Sequence, residues 1–179
     1  MARMHEVEAR WTSWTGDTLE VLRLGWENAG WTAEGVVGGI DIQYAIRLDE
    51  DWNVRQFVLF RDLEDPDLWL ARDARGRWGE VNGVYRHELD GCTDLDLVSS
   101  PFTNTLPIRR LGLAVGEAAD VRVAWIDHDS LQVAPVRQRY TRLGERRWRY
   151  ESLETGYDAE LEVDEHGLVL DYPDEFRRI

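Results

Sequence analysis

A strict alternation of apolar and polar residues is the feature that most limits how this chain can fold. Residues 42–48 read IQYAIRL, in which every second side chain is large and apolar. Successive side chains of a β-strand point to opposite faces of a sheet, so this period of two predicts a strand with one buried and one wet face. A helix would instead need apolar residues spaced three and four apart.

Runs of similar length recur along the chain and are separated by turn sequences. Two strands are predicted on either side of a turn at residues 15–17, and a further strand includes Trp78. The other predicted strands cover residues 31–37, 42–48, 54–61, 68–73, 119–126, 131–143, 146–153, 157–163 and 168–172. Pro135 predicts a bulge or an edge within its strand. Only residues 105–116 suggest a short helix, with Pro107 in its first turn. The sequence therefore predicts an all-β fold with at most one or two short helices.

Length and charge limit the size class and the partners. The 179 residues fit one domain, residues 1–179, with enough chain to bury a substantial core. There are 35 acidic and 21 basic residues, which gives a formal net charge of -14. That charge repels the phosphates of nucleic acids and the surfaces of anionic membranes. We therefore expect no nucleic-acid partner.

The cysteine count and the apolar runs bear on the compartment. Cys92 is the single cysteine, so no internal disulfide can form. The start of the chain, MARMHEVEARWTSW, has no apolar run of signal-peptide length. No segment approaches the ~18 apolar residues that a membrane helix requires. These features predict a cytoplasmic protein that does not insert into a membrane.

One segment combines most of the polar chemistry of the chain. Residues 89–111 read LDGCTDLDLVSSPFTNTLPIRRL and hold acids, hydroxyls, an amide, two prolines and an arginine pair. The segment resembles the signature of a bacterial family of unknown function that carries a glycolipid-binding label. The pieces GWTAEGVVGG, YAIRLDEDW, GRWGEVNG, QRYTRLG and VDEHGLVLDYP fit the same family pattern, so the resemblance covers nearly the whole chain. Ser100 departs from it, since the family more often has a threonine there.

The resemblance implies a particular architecture. It implies a single large antiparallel sheet of about 12–15 strands, rolled into a spiral β-roll or an open barrel, similar to lipoprotein-carrier folds. It also implies an amphipathic ligand such as a glycolipid, and it names no catalytic residue.

Three acids of the segment form the pattern D-x-x-x-D-x-D. On a strand Asp94 and Asp96 point to the same face, and Asp90 joins them if the strand runs unbroken through Gly91. Three carboxylates could hold a hard cation, but the spacing differs from that of a helix-loop-helix calcium site. We therefore predict no metal and no cofactor.

Arg109 and Arg110 leave two alternatives open. Either they pair with Asp94 and Asp96 and lock the loop, because a guanidinium matches a carboxylate bidentately. Or one of them faces a cavity and receives an anionic or sugar headgroup, which Asp94 or Asp96 helps to orient.

Hydroxyl, amide and aromatic side chains complete the candidate ligand-binding residues. Thr103, Asn104 and Thr105 either bond to nearby backbone in a rigid loop or offer hydrogen bonds to sugars at the mouth of a pocket. The nine tryptophans and six tyrosines either pack the core or form an aromatic wall. Trp125 and Tyr140 are our candidates for such a wall.

These patterns favour a non-catalytic protein that binds an amphipathic small molecule, such as a lipid or glycolipid, in an aromatic-lined cleft. The first alternative is a hydrolase of a sugar or lipid substrate that uses the acids of residues 90–96, with Asp94 and Asp164 as one carboxylate pair. Another is a homodimer formed through an exposed sheet edge.

No residue is predicted to be catalytic. Cys92 is interpreted as a small buried side chain and not as a nucleophile. The histidines, His5 among them, show no metal-binding spacing, and no G-x-S-x-G sequence is present.

Overall fold

The computed structural model describes residues 6–62 and 64–179, so His5 and the first residues of the predicted hairpin lie outside the described chain. Fourteen strands are described: β1 (Glu6–Ser13), β2 (Leu19–Glu27), β3 (Gly30–Gly38), β4 (Ile42–Asp49), β5 (Val54–Phe60), β6 (Leu68–Arg72), β7 (Trp78–Glu80), β8 (Asp94–Leu97), β9 (Ala118–Ile126), β10 (Val133–Arg142), β11 (Arg147–Ser152), β12 (Asp158–Glu162), β13 (Asp171–Tyr172) and β14 (Phe176–Arg178). The helix α1 (Thr105–Leu111) follows a 3-10 turn at Pro101–Asn104, and a second 3-10 turn lies at His87–Leu89.

The all-β fold is confirmed, and the strands divide between two sheets. A nine-stranded antiparallel sheet has the order β13-β14-β1-β2-β3-β4-β5-β6-β7, and a five-stranded sheet has the order β12-β11-β10-β9-β8. We expected a single sheet. The difference arises because consecutive hairpins stop at β7, where the chain enters the 3-10 turn at His87–Leu89.

The connection from β8 to β9 determines where the polar segment lies. These two strands are parallel, with Asp94 beside Val123 and Asp96 beside Trp125. Parallel neighbours need a crossover between them. Residues 98–117 make that crossover, and they carry the 3-10 turn and α1 across the small sheet.

The two faces of β8 contact different clusters of buried side chains. Leu95 and Leu97 pack with the inner face of the nine-stranded sheet, which includes Leu22 and Phe57. The opposite face belongs to the concave side of the small sheet, whose cluster is Ile108, Val121, Val123, Tyr140, Trp148, Tyr150, Ala159, Leu161, Val163, Val169 and Tyr172. Each fully buried Leu or Phe contributes about 1.5–3 kcal/mol, so both clusters stabilise the crossover.

Two details correct or sharpen the sequence predictions. The helix ends at Leu111 instead of extending to residue 116, because Gly112 adopts a left-handed φ of 57°. Pro135 lies in β10 opposite Ala124 of β9, while β11 pairs with β10 only from Gln138 onwards. The proline therefore lies where β10 is locally an edge, as predicted. In the described chain no helix has the length or the apolar character needed to cross a bilayer.

Candidate functional site

The acids of the polar segment do not act as one group. Asp90 lies in a turn and accepts a 2.6 Å hydrogen bond from the Tyr85 hydroxyl. Gly91 has a φ of 82°, and β8 begins only at Asp94. Because the strand does not run through Gly91, Asp90 does not share the face of Asp94 and Asp96.

Asp94 and Arg110 form a buried ion pair. Arg110 Nε lies 3.0 Å from Asp94 Oδ1, and Arg110 Nη2 lies 2.7 Å from Asp94 Oδ2. The Asp94 side chain is fully buried. The Thr93 hydroxyl bonds to both partners, at 2.8 Å and 3.1 Å. This pair fastens α1 to β8. Arg110 therefore pairs with an aspartate, which is the first of the two alternatives that the sequence left open, and does not face a cavity.

No arginine of the described residues pairs with Asp96. It accepts a 2.6 Å hydrogen bond from the Gln138 side-chain amide, and Trp125 lies beside it on the neighbouring strand. Burial raises the pKa of Asp96, and the hydrogen bond from Gln138 opposes that rise. Asn104 donates a 3.0 Å hydrogen bond to the buried Tyr140 hydroxyl.

The threonines of the segment bond to backbone, as the rigid-loop interpretation predicts. The Thr103 hydroxyl donates to the Ser100 carbonyl and accepts from Leu97 N–H, and the Thr105 hydroxyl donates to the Gly167 carbonyl at 2.8 Å. Asp96, Thr103, Asn104, Tyr140 and Trp125 thus meet on the concave side of the small sheet, while Asp90 and Arg109 lie elsewhere.

An open cleft of about 420 Å³ lies beside α1 and contains Arg109. We call it the arginine cleft. Its apolar wall is formed by Ile108, Leu113, Trp148 and Val163. Its charged rim is formed by Arg109, Arg142, Glu145, Arg146, Asp164 and Glu165.

Arg109 differs from Arg142, which lines the same cleft. Its guanidinium carbon lies 4.9 Å from the centre of the Trp52 ring, in a cation-π contact. Its aliphatic stem lies against Gly167, where an added Cβ would come within 3.0 Å of Arg109 Cδ. Arg109 is exposed, and no residue in the described ranges accepts a hydrogen bond from it. Arg142, in contrast, donates to three carbonyls, those of Leu113, Gly144 and Glu145.

The carboxylates that a hydrolase would use are already engaged. Asp164 pairs with Arg178 at 2.9 Å and accepts backbone hydrogen bonds from His166 and Leu168. Asp94 is held by Arg110, as described above. Within residues 6–62 and 64–179, no three His, Cys, Asp or Glu side chains converge as metal ligands.

Glu20 is a buried carboxylate on the nine-stranded sheet that was not predicted from the sequence. Glu20 is 2% exposed, and its Oε1 accepts hydrogen bonds from the Tyr44 hydroxyl at 2.5 Å and from the Ser100 hydroxyl at 2.7 Å. Its Oε2 has no partner among the described residues. Burial raises the pKa of Glu20 from 4.5 to about 7, although both hydroxyl bonds lower it. Glu20 precedes Leu22 and Leu24 in the apolar phase of β2, a signal that was present in the sequence.

Comparison with known proteins assigns the family. A family model described as "Putative glycolipid-binding" matches residues 8–178. A crystal structure of a DUF1089 family protein from Pseudomonas aeruginosa is 34% identical, with a TM-score of 0.71, and the match covers 100% of this chain and 94% of that chain. No functionally curated protein matches this chain. Together with the predicted signature in residues 89–111, the match shows that this chain belongs to the family described as glycolipid-binding.

Proposed function

We propose that the protein binds, without chemical conversion, an amphipathic molecule that carries a sugar headgroup, and that the arginine cleft receives it. One observation carries the proposal. Arg109 is held over the Trp52 ring at the edge of an apolar wall, and its N–H groups have no acceptor in the described chain. A guanidinium fixed in this way is a preorganised hydrogen-bond donor.

The charges of the cleft suit hydroxyl groups. Arg109 and Arg146 can donate hydrogen bonds, while Glu145 and Glu165 can accept them. A sugar hydroxyl does both, so a rim of mixed sign matches a neutral sugar better than it matches an anion, which the glutamates would repel.

The wall and the volume suit the rest of the ligand. Ile108, Leu113 and Trp148 offer apolar contact to an acyl chain or to the C–H face of a sugar ring. The volume of about 420 Å³ falls within the ~300–1,000 Å³ of small-molecule sites. Membership of a family described as glycolipid-binding supports the same ligand class.

Binding is favoured over hydrolysis because both acids of the suggested catalytic pair have structural partners. Asp94 and Asp164 each form an ion pair with an arginine. A carboxyl that acts on a substrate must have oxygen atoms free to contact it, and the ion pairs occupy oxygen atoms of both aspartates.

Two measurements test the proposal. Native mass spectrometry of protein purified gently from its own host should reveal a bound glycolipid. Calorimetric titration below micelle concentrations should show that octyl glucoside binds and that a non-ionic octyl polyoxyethylene ether, which has the same tail and no sugar, binds more weakly. Equal affinity for the two detergents would contradict the assignment of a sugar site.

A pair of variants locates the site. Arg109→Ala removes hydrogen bonds from a charged donor, each of which contributes about 1.5–3 kcal/mol, so we expect at least about a tenfold weaker affinity for octyl glucoside. Arg139→Ala is the matched control, because Arg139 is an exposed arginine that pairs with Asp120 outside the cleft. Unchanged affinity in Arg109→Ala would remove the cleft as the site.

A further inference from the structure

Three tryptophan rings form a continuous row that ends beneath Arg109. The rings of Trp26 and Trp31 are 5.3 Å apart, centre to centre, in an edge-on arrangement. The rings of Trp31 and Trp52 are 5.4 Å apart and tilted by 34°. Arg109 lies over Trp52 at 4.9 Å. We call Trp26, Trp31 and Trp52 the tryptophan row.

The row lies on the core-facing side of the nine-stranded sheet, yet it reaches solvent. Trp26 pairs in register with Trp31, and Trp31 pairs with the fully buried Leu48. Residues paired in register share a face, so both indoles lie on the side that carries the core. Trp52 is 5% exposed, but Trp26 is 36% exposed. The row therefore runs from the buried core to an open rim of the sheet.

Trp52 adopts a backbone conformation that is rare for a bulky residue. Its φ is 68°, in the left-handed region. The turn that imposes it is held by Asp49, whose side chain accepts hydrogen bonds from the N–H groups of Asp51 and Asn53 and from Arg55. Such a conformation costs of order 1–3 kcal/mol and persists only where the surroundings enforce it. Here it places the indole between Trp31 and Arg109.

The surroundings of the row select against anions. The turn that holds Trp52 carries Asp49, Glu50 and Asp51 in succession. The negative charge of this turn would repel an anionic group bound nearby, whereas it would not repel a neutral ring. The exposed indole of Trp26 is suited to a neutral sugar, whose C–H face packs on the ring, while Arg109 at the other end of the row can donate to sugar hydroxyls.

We propose that the tryptophan row is a second subsite, continuous with the arginine cleft through Arg109, and that it receives a further neutral sugar ring of the same ligand. The proposal rests on the proposed function and specifies its ligand class: the headgroup contains at least two sugar units. Arg109 connects the two subsites, since it lines the cleft and covers Trp52.

Calorimetry with two detergents of equal tail length tests the row. Octyl maltoside has one sugar ring more than octyl glucoside, and stacking on an exposed indole is an aromatic contact worth about 0.5–1.5 kcal/mol beyond its buried area. With that area included, we expect wild-type protein to bind octyl maltoside about tenfold more tightly than octyl glucoside. In Trp26→Ala the two affinities should become equal.

Trp69→Ala is the matched control, because Trp69 is also 36% exposed but lies on the strand β6, away from the row. It should keep the preference for octyl maltoside. If wild-type protein binds both glycosides equally, or if Trp26→Ala weakens both to the same extent, the second subsite is wrong while the arginine cleft stands. If no glycoside binds better than the sugar-free ether, both proposals fail.

Discussion

The Tyr44 hydroxyl donates a 2.5 Å hydrogen bond to Glu20 inside the protein. The two residues lie on β4 and β2, and the Tyr44 ring spans the intervening strand by lying over Gly35. Because Ser100 donates to the same Glu20 oxygen, this contact also joins the nine-stranded sheet to the crossover that carries α1. The ionisation of Glu20 therefore affects the contact between the nine-stranded sheet and the crossover.

Stability should fall as pH rises through the titration of Glu20. The pKa of Glu20 is 4.5 when unperturbed and about 7 in the fold. Below 4.5 both states hold the proton, and between these values the folded state holds a proton that the unfolded chain has lost. The free energy of unfolding then decreases with pH by at most about 3 kcal/mol and levels off above 7.

Glu20→Gln separates this effect from that of other titrating groups. Urea denaturation at several pH values should show a smaller decrease between pH 4.5 and 7 in the variant than in the wild type. Tyr44→Phe should raise the pKa of Glu20 further, since it removes a hydrogen bond that lowers it. Parallel curves for wild type and Glu20→Gln would contradict a raised pKa.

Gly35→Ala should destabilise the fold through a steric clash. An added Cβ would come within 2.2 Å of two atoms of the Tyr44 ring, so the ring must move and the hydrogen bond to Glu20 must lengthen. Overpacking of this kind typically costs about 1–3 kcal/mol. Chemical denaturation measures this loss of stability. Gly25→Ala on β2 is the control, because a Cβ there meets nothing within 4 Å. Equal stabilities in the two variants would show that the ring can shift freely.

The neighbouring arginines of α1 should respond differently to the same substitution. Arg110→Ala leaves the fully buried Asp94 carboxylate without its partner, which costs about 3–5 kcal/mol. Arg109→Ala removes an exposed cation-π contact worth about 0.5–1 kcal/mol. Thermal or urea denaturation measures the loss of stability in each variant. Unfolding of both variants would remove the support for Arg109 as a ligand-binding residue.

Cys92 should be unreactive in the native state. The side chain is fully buried, and burial raises the pKa of its thiol to about 11. At pH 8 the thiolate is therefore scarce as well as covered. An aromatic disulfide reagent should label native protein far more slowly than protein in denaturant. Rapid labelling of the native chain would show that the turn before β8 opens readily.

The strands were predictable because their alternation reflects the pleat directly. Residues 42–48 were predicted from period two, and β4 spans Ile42–Asp49. The division into two sheets was not predictable in this way, because it depends on distant pairings such as Trp11 with Arg178. Hydrophobic pattern specifies which face of a strand is buried, and it does not specify the partner.

The candidate site was predictable in its residue types more than in its arrangement. The charges indicated an arginine-aspartate pair, but the choice between Arg109 and Arg110 depends on where α1 begins. Successive helical residues point about 100° apart, so one arginine faces β8 and the other faces the cleft. The left-handed conformation of Trp52 left no signal in the sequence, since nothing marks a tryptophan for positive φ.

The parallel pairing of β8 with β9 bears on the order in which the molecule assembles. The two strands of a hairpin are close in sequence and can pair early in folding. In contrast, β8 can pair with β9 only after residues 98–117 have crossed the small sheet. We therefore expect β8 and α1 to dock late in folding, after the hairpins of both sheets. Arg109 reaches Trp52 only in that final step, so a folding intermediate would hold most of the strands and lack the arginine cleft.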